Sequence, residues 1–252
     1  MKTKILGGLP RKKKKYFTTT KDEISYIDII NYQKKNYLKI DSSSEFCPVF
    51  NFDSLKPKIN FSHTEKFCNG KIFEINRKFL SLFGLPAYGV HCNIWSKIGN
   101  TILIHFGKRS KNLASFPGHL DNPIAGGQPV KLSILDNLKK EAYEEAGLES
   151  KNLKLVRKGN TVYYNHNHND RLVSGIIFNY HLEKHENFNL KNVDGEVDQF
   201  VSLPIFDIYK ILEEKLLKPN CIIPILDFLI LNNYEFITKG TIVEIKKEKK
   251  IR

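Results

Sequence analysis

Three glutamates, Glu141, Glu144 and Glu145, stand at i, i+3 and i+4, a spacing that on a helix puts all three carboxylates on one face. Like charges so placed repel, by roughly 0.2–0.5 kcal/mol per close pair on an exposed helix and by more where they are partly buried. A hard divalent cation removes that cost. Mg²⁺ takes oxygen ligands and keeps several waters, with Mn²⁺ as an alternative, so the trio could hold phosphate oxygens and activate a water together. Lys140 beside them can pair with a glutamate and orient it, and Gly126 and Gly127 let backbone groups come close to a metal or phosphate. Taken alone, Glu-x-x-Glu-Glu is an ordinary solvated helix face. The glycine run before it, the Lys140-Glu141 pair within it and Gly147 directly after it favour the chemical reading.

These side chains need a helix and something to pack it on. The spacing predicts a helix over Ile134–Ala146, opened by Ser133 with Asp136 three residues on as a capping pair and ended by Gly147. Leu135, Leu138, Ala142 and Ala146 form its apolar stripe, which would seat it on a sheet with the acidic edge toward a cleft. Upstream, residues 87–106 read as a β-hairpin around Gly99-Asn100, followed by a loop through Pro117, Gly118 and Pro123. Strands are expected near residues 160–164, 173–182 and 199–203, and helices near 207–217 and 222–232. In the N-terminal part, Ile24, Ile27 and Ile30 recur at helical spacing, while Pro48 and Pro57 break the middle. The expected division is a basic arm (1–18), a small α+β domain (19–84), a strand-rich α+β domain carrying the glutamates (85–237) and a basic tail (238–252).

The 252 residues can bury a sizeable core, and 41% hydrophobic with 27% charged residues is ordinary soluble usage. Cys47, Cys68, Cys92 and Cys221 form no Cys-x-x-Cys pair, against a zinc site or disulfide framework, and read as reduced thiols. The basic start lacks an apolar region for secretion, and residues 221–231 are too short to span a bilayer, so the expectation is a cytoplasmic protein without a membrane partner. The net charge of +13 is carried largely by lysines in the two tails. No recognition motif accompanies it, so nucleic-acid binding is not expected. A homodimer stays open.

The segment from Gly126 to Leu148 resembles the Nudix box: Gly, five residues, Glu, seven residues, Arg-Glu, an aliphatic residue, any residue, Glu-Glu, any residue, Gly and an aliphatic residue. Gly126, Glu141, Glu144, Glu145, Gly147 and Leu148 fall in register, whereas Leu132 replaces the first Glu and Lys140 replaces the Arg. The resemblance implies a Nudix α/β/α sandwich with a mixed sheet, metal ligation by Glu141, Glu144 and Glu145, and hydrolysis of a diphosphate linkage in a small molecule. The absent first Glu puts the geometry of the loop in question more than the metal ligands.

A longer stretch, about residues 71–234, is similar to the thiamine pyrophosphokinase-related Nudix subgroup. It includes Phe83-Gly84, Tyr88-Gly89-Val90-His91, Gly107-Lys108-Arg109-Ser110, Leu120-Asp121-Asn122, Asp194-Gly195-Glu196-Val197 with Phe200, Lys218-Pro219-Asn220-Cys221 and Asp227-Phe228-Leu229. That likeness implies thiamine diphosphate, or its oxo and oxy analogues, as substrate. Glu196 is expected as a further ligand or general base, weighed against an ordinary acidic turn. Lys108 and Arg109 could hold phosphate oxygens, Arg109 through its bidentate fork. His91 reads as structural, His166 and His168 as a polar loop, and Tyr88 and Trp95 as core aromatics rather than stacking platforms. The competing expectations are a pyrophosphatase for nucleoside diphosphate derivatives, an isomerase on the same fold, and a ligand-sensing module that does not cut.

Overall fold

The computed structural model describes residues 26–36, 45–50, 52–53, 56–57, 61–168, 171–185, 188–232, 237–238 and 241–242. The basic arm, Ile24 and nearly all of the basic tail lie outside them, as do the side chains of Ile27, His166 and His168. Two compact units are formed: residues 1–89, 127–137 and 163–177, and residues 90–126, 138–162 and 178–252.

The first unit holds helix α1 (Tyr26–Lys35), short strands β1 (Phe46–Val49), β2 (Phe52–Asp53) and β3 (Lys56–Pro57), and β4 (Phe73–Asn76), which runs into a 3₁₀ turn over Arg77–Leu82. β1 pairs antiparallel with β4, with Cys47 opposite Ile75, and both side chains are buried. Their apolar faces meet Ile29, Leu80, Leu82, Phe83 and Leu85 in one core. Ile29 is the fully buried isoleucine of α1, one position before the half-buried Ile30 of the expected stripe. β1 escaped the sequence reading because Pro48 looked like a breaker; it sits in a two-stranded sheet, where a missing N–H is tolerated.

The large sheet is built from β5 (Pro86–Ile98), β6 (Thr101–Arg109), β9 (Arg157–His168), β10 (Arg171–Glu183) and β11 (Val197–Pro204), in the order β11-β6-β5-β10-β9. β5 and β6 form the expected hairpin, with Ile98 opposite Thr101 across Gly99-Asn100. Two short strands lie where a loop was expected: β7 (Leu120–Asp121) pairs with β6, and β8 (Ile124–Gly127) pairs with β5. At two and four residues they are too brief to show a period. Helix α2 spans Ile134–Ala146 as expected. Its buried face is Ile134, Asn137, Leu138, Ala142, Glu145 and Ala146, with Leu135 only half-buried.

Helices α3 (Ile208–Glu213) and α4 (Ile222–Leu231) cover β6 and β11 through Ile208, Ile211, Ile225, Phe228 and Leu229 packed on Ile104 and Phe106. α3 stops four residues early because Lys215 turns to a positive φ of 54°. Asp227 of α4 accepts hydrogen bonds from Asn160 Nδ2 and Asn179 Nδ2, both at 2.6 Å, and lies 3.1 Å from His181 Nε2. Burial alone would raise its carboxyl, but those hydrogen bonds outweigh it and hold the group below its usual value.

In β6, His105 spans three strands, with Nδ1 2.7 Å from Ser202 Oγ and Nε2 3.0 Å from Ser96 Oγ. Burial pushes its pKa down to about 4, and the same cause takes buried His91 down to about 4. An unfolded histidine titrates near 6.5. Between those values the unfolded chain binds protons that the folded chain refuses, so stability must fall as pH drops from about 6.5 to about 4, by at most about 1.4 kcal/mol per pH unit for each ring. Urea-unfolding midpoints measured across that window should decline, and His105→Gln should make the decline shallower; an unchanged slope would show that His105 is not buried neutral.

Candidate active site

Helix α2 is anchored at both ends by the residues the sequence singles out. Ser133 Oγ accepts the N–H of Asp136 at 3.0 Å and donates its own hydrogen to Asp136 Oδ2 at 2.8 Å. At the other end Gly147 adopts a φ of 66°, which lets its N–H reach the Tyr143 carbonyl, the bond of an αL cap, while the Leu148 N–H reaches the carbonyl of Ala142. The carbonyls of Glu144 and Ala146, orphaned by the helix end, accept from Val193, Asp194 and Lys191. The loop that carries Glu196 is thereby docked on the end of the glutamate helix.

The loop before α2 is held without the glutamate that Leu132 replaces. The Leu132 carbonyl accepts from the Phe67 N–H at 3.0 Å and from Gln128 Nε2 at 3.1 Å. Lys66 bridges Ser133, and the Leu135 N–H donates to the His63 carbonyl at 2.9 Å. Asn137, fully buried, donates from Nδ2 to the Gly127 carbonyl at 2.8 Å. Backbone pairing with residues 63–67 and two buried amides thus set a loop that a side-chain carboxylate could otherwise brace. Sequence reasoning missed Asn137 and Gln128 because nothing local marks an amide as buried.

The three carboxylates fare differently. Glu145 is 7% exposed, and its Oε2 accepts the Ala125 N–H at 2.6 Å. Burial is the largest influence on it and pushes its carboxyl well above the usual range. The Ala125 hydrogen bond pulls the other way, and the charges of Asp121, Glu141 and Glu196 push it up again. Glu141 lies against Gly126: a methyl group there would fall 2.0 Å from the Glu141 carboxyl carbon. Lys140 Nζ joins Glu141 at 3.1 Å to Glu144 at 2.6 Å, with the Glu144 side chain 38% exposed. Glu196 is exposed, its carbonyl accepting from the Ser110 N–H beside the bulge that opens β11. The second unit therefore sets Glu141 against Gly126 and Glu145 against Ala125, ties Glu144 to Glu141 through Lys140, and brings Glu196 within electrostatic reach of Glu145.

Behind this edge is a second polar cluster. Asp121 Oδ2 accepts from Arg109 Nη1 at 2.9 Å and from Lys218 Nζ at 2.7 Å, while Oδ1 accepts from the Asn122 N–H and the Cys221 thiol. Burial would raise the Asp121 carboxyl, but Lys218 above all holds it low. His91 Nδ1 lies 2.8 Å from Asn122 Oδ1. The donor atoms of His91, Asp121 and Cys221 fall within 4.8 Å of one another. Asp121 is nevertheless already neutralised by two cations, and burial drives the Cys221 thiol well above its ordinary value, keeping it protonated. The cluster is an ion-pair centre. Its Arg109 guanidinium is 8% exposed and also donates to the Ser115 carbonyl, while Lys108 is half-buried with no ion pair among the described residues. Tyr88 and Trp95 are packing residues, Trp95 on Phe228 with ring centroids 5.7 Å apart.

No protein-family model matches the chain. It is 33% identical over 163 residues to Nudix hydrolase 20, chloroplastic, of Arabidopsis thaliana, covering 64% of this chain and 44% of that protein. Against Nudix hydrolase 24, chloroplastic, of the same plant it is 32% identical over 158 residues, covering 62% and 43%. Both of these relatives are Nudix hydrolases by name. This chain spans less than half the length of these two relatives. Among solved structures, DR0079 from Deinococcus radiodurans shares the fold of this chain with a TM-score of 0.53 at 13% identity, covering 73% of this chain and 99% of that one. No helix among the described residues is long and apolar enough to cross a membrane.

The close approach at Gly126 gives a test of the site's construction. Gly126→Ala should cost about 1–3 kcal/mol by forcing the Glu141 carboxylate aside, measured by chemical denaturation. Adding Glu141→Ala should recover most of that loss; additive losses would show that the two residues do not press on each other.

Proposed function

We propose that this chain hydrolyses a diphosphate linkage in a small phosphorylated molecule, with Glu141, Glu144 and Glu145 holding a divalent cation, Mg²⁺ foremost and Mn²⁺ as its substitute. The observation that carries this reading is Glu145. A carboxylate that is nearly buried, held by one backbone N–H and pressed by three other acidic groups, has a strong electrostatic demand for positive charge. The donor set is all oxygen, which fits a hard cation and not a soft one.

When bound, such a cation supplies charge neutralisation to the diphosphate and Lewis acidity toward the attacking water. The chain's own groups do the positioning. Lys140 holds Glu141 and Glu144 in one orientation. The Ala125 N–H fixes one oxygen of Glu145, leaving the other to accept a proton from water as general base. Glu196, exposed at a turn and within electrostatic reach of Glu145, is the second candidate for that proton. Gly126 and Gly127 present backbone to phosphate oxygens, and half-buried Lys108 offers a cation to them. We do not extend that role to Arg109, whose Nη1 is engaged with Asp121.

The substrate we favour is thiamine diphosphate or its oxo and oxy analogues, cut to the monophosphate, on the strength of the subgroup likeness in residues 71–234. A nucleoside diphosphate derivative is the second reading, compatible with the same carboxylates. The isomerase reading loses ground because the Cys221 thiol is buried and protonated. A cytoplasmic setting suits the free cysteines.

Purified protein with Mg²⁺ and a panel of thiamine diphosphate, its oxo and oxy forms, ADP-ribose, NADH and nucleoside triphosphates should release phosphate and monophosphate. Glu145→Gln should cut turnover about 10²–10⁴-fold, the range for loss of a general base. Turnover of nucleotides alone would discard the thiamine assignment, and silence across the panel would leave a binding module.

A further inference from the structure

A run of buried hydrogen bonds crosses the second unit from β5 to α4. His91 Nδ1 lies 2.8 Å from Asn122 Oδ1, and Asn122 Nδ2 donates to Asn93 Oδ1 at 2.6 Å. Asn93 Nδ2 donates to the Pro224 carbonyl at 2.6 Å and lies 3.2 Å from His181 Nδ1. His181 Nε2 in turn reaches Asp227 Oδ2 at 3.1 Å. All of these residues are buried, and all belong to the second unit.

An amide oxygen only accepts and an amide nitrogen only donates, so the two asparagines fix both histidines. His91 carries its hydrogen on Nδ1. His181 accepts at Nδ1 and carries its hydrogen on Nε2, from which it donates to the Asp227 carboxylate. The donors therefore run one way, from His91 to Asp227, and each bond polarises the next. At the Asp227 end a methyl group on Gly159 would fall 2.5 Å from Asp227 Oδ2 and 2.6 Å from His181 Nε2, so the neighbouring strand leaves room for the pair only as glycine. Buried polar pairs add little stability over apolar groups of the same shape. What a fully satisfied network adds is one geometry.

That geometry is imposed on the link between β7 and β8, which consists of Asn122 and buried Pro123. Proline fixes its own φ and confines the residue before it to extended backbone. Holding the Asn122 side chain from both sides therefore sets the direction in which the backbone leaves toward Ile124 and Ala125. Ile124 is fully buried, and the next N–H, that of Ala125, donates to Glu145. On its other side, Asn122 donates its own N–H to Asp121 Oδ1. We propose that Asn122, clamped by His91 and Asn93, is a positioning residue that sets the Ala125 N–H against the Glu145 carboxylate. The use of that position by a cation rests on the proposed function; the position itself does not.

Two readouts on the full chain test this. In protein labelled with ¹⁵N-alanine, the Ala125 amide signal, identified by its loss in Ala125→Gly, should shift in Glu145→Gln. It should shift also in Asn122→Ala and in His91→Phe, and both variants should bind Mn²⁺ roughly tenfold to a hundredfold more weakly, the usual loss when a group that orients a metal ligand is removed. His91→Asn should restore both readouts, because its Nδ2 stands where the ring Nδ1 stood. Ile208→Val, in the core under α3, should lower thermal stability and move neither. An Ala125 signal unmoved in His91→Phe, a shift of the same size in Ile208→Val, or no rescue by His91→Asn would each overturn the assignment, and the His91 variants decide it alone if Asn122→Ala does not fold. If the signal moves as expected but the parent chain binds no Mn²⁺, the cation reading fails and the positioning of Glu145 stands.

Discussion

The hydrogen bond from the Ala125 N–H to the buried Glu145 carboxylate joins the strand to the helix and fixes one oxygen of the proposed cation site. A carboxylate removed from water is costly unless it is bonded and paired. One backbone donor goes part of the way; Asp121, Glu141 and Glu196 push in the opposite direction. The helix face is therefore left with an electrostatic demand that, among the described residues of the second unit, no cationic side chain meets at Glu145, while Lys140 serves its two neighbours. Much of the surrounding structure serves to hold this arrangement in place: the αL closure at Gly147, the loop docked on the Glu144 and Ala146 carbonyls, and Gly126 beneath Glu141.

Asp121 shows the opposite solution to the same problem. It too is a buried carboxylate, yet Arg109 and Lys218 neutralise it and Asn122 and Cys221 complete its hydrogen bonds. It needs no cation from solution. Placing the two side by side separates the proposed site from a scaffold: what distinguishes Glu145 is the shortage of positive charge around it, not its burial.

Local pattern made a good part of this legible. The bounds of α2, its cap and its stop depend on residues within four positions of each other, and these appear in the structure where the spacing put them. The Gly99-Asn100 hairpin is local in the same sense. What stayed hidden depends on distant partners. Arg77 meets Glu45 across 32 positions and Lys218 meets Asp121 across 97, and neither pair has a period or motif to announce it. Arg109 read as a candidate for holding phosphate oxygens because its partner Asp121 lies on a two-residue strand too short to be read. The residues outside the box that resemble the thiamine-related subgroup, His91, Arg109, Asp121, Asn122, Lys218 and Cys221, turn out to meet in one cluster. Only the fold reveals that meeting.

Electron paramagnetic resonance of Mn²⁺ mixed with the purified chain tests most directly whether the glutamate face is a cation site. Free Mn²⁺ gives a sharp signal that is lost on binding. The account requires that signal to fall in the presence of the protein, to be restored by competing Mg²⁺, and to be unaffected by protein carrying Glu141→Gln and Glu145→Gln together. Binding that survives in the double variant, or no binding by the parent chain, would contradict it.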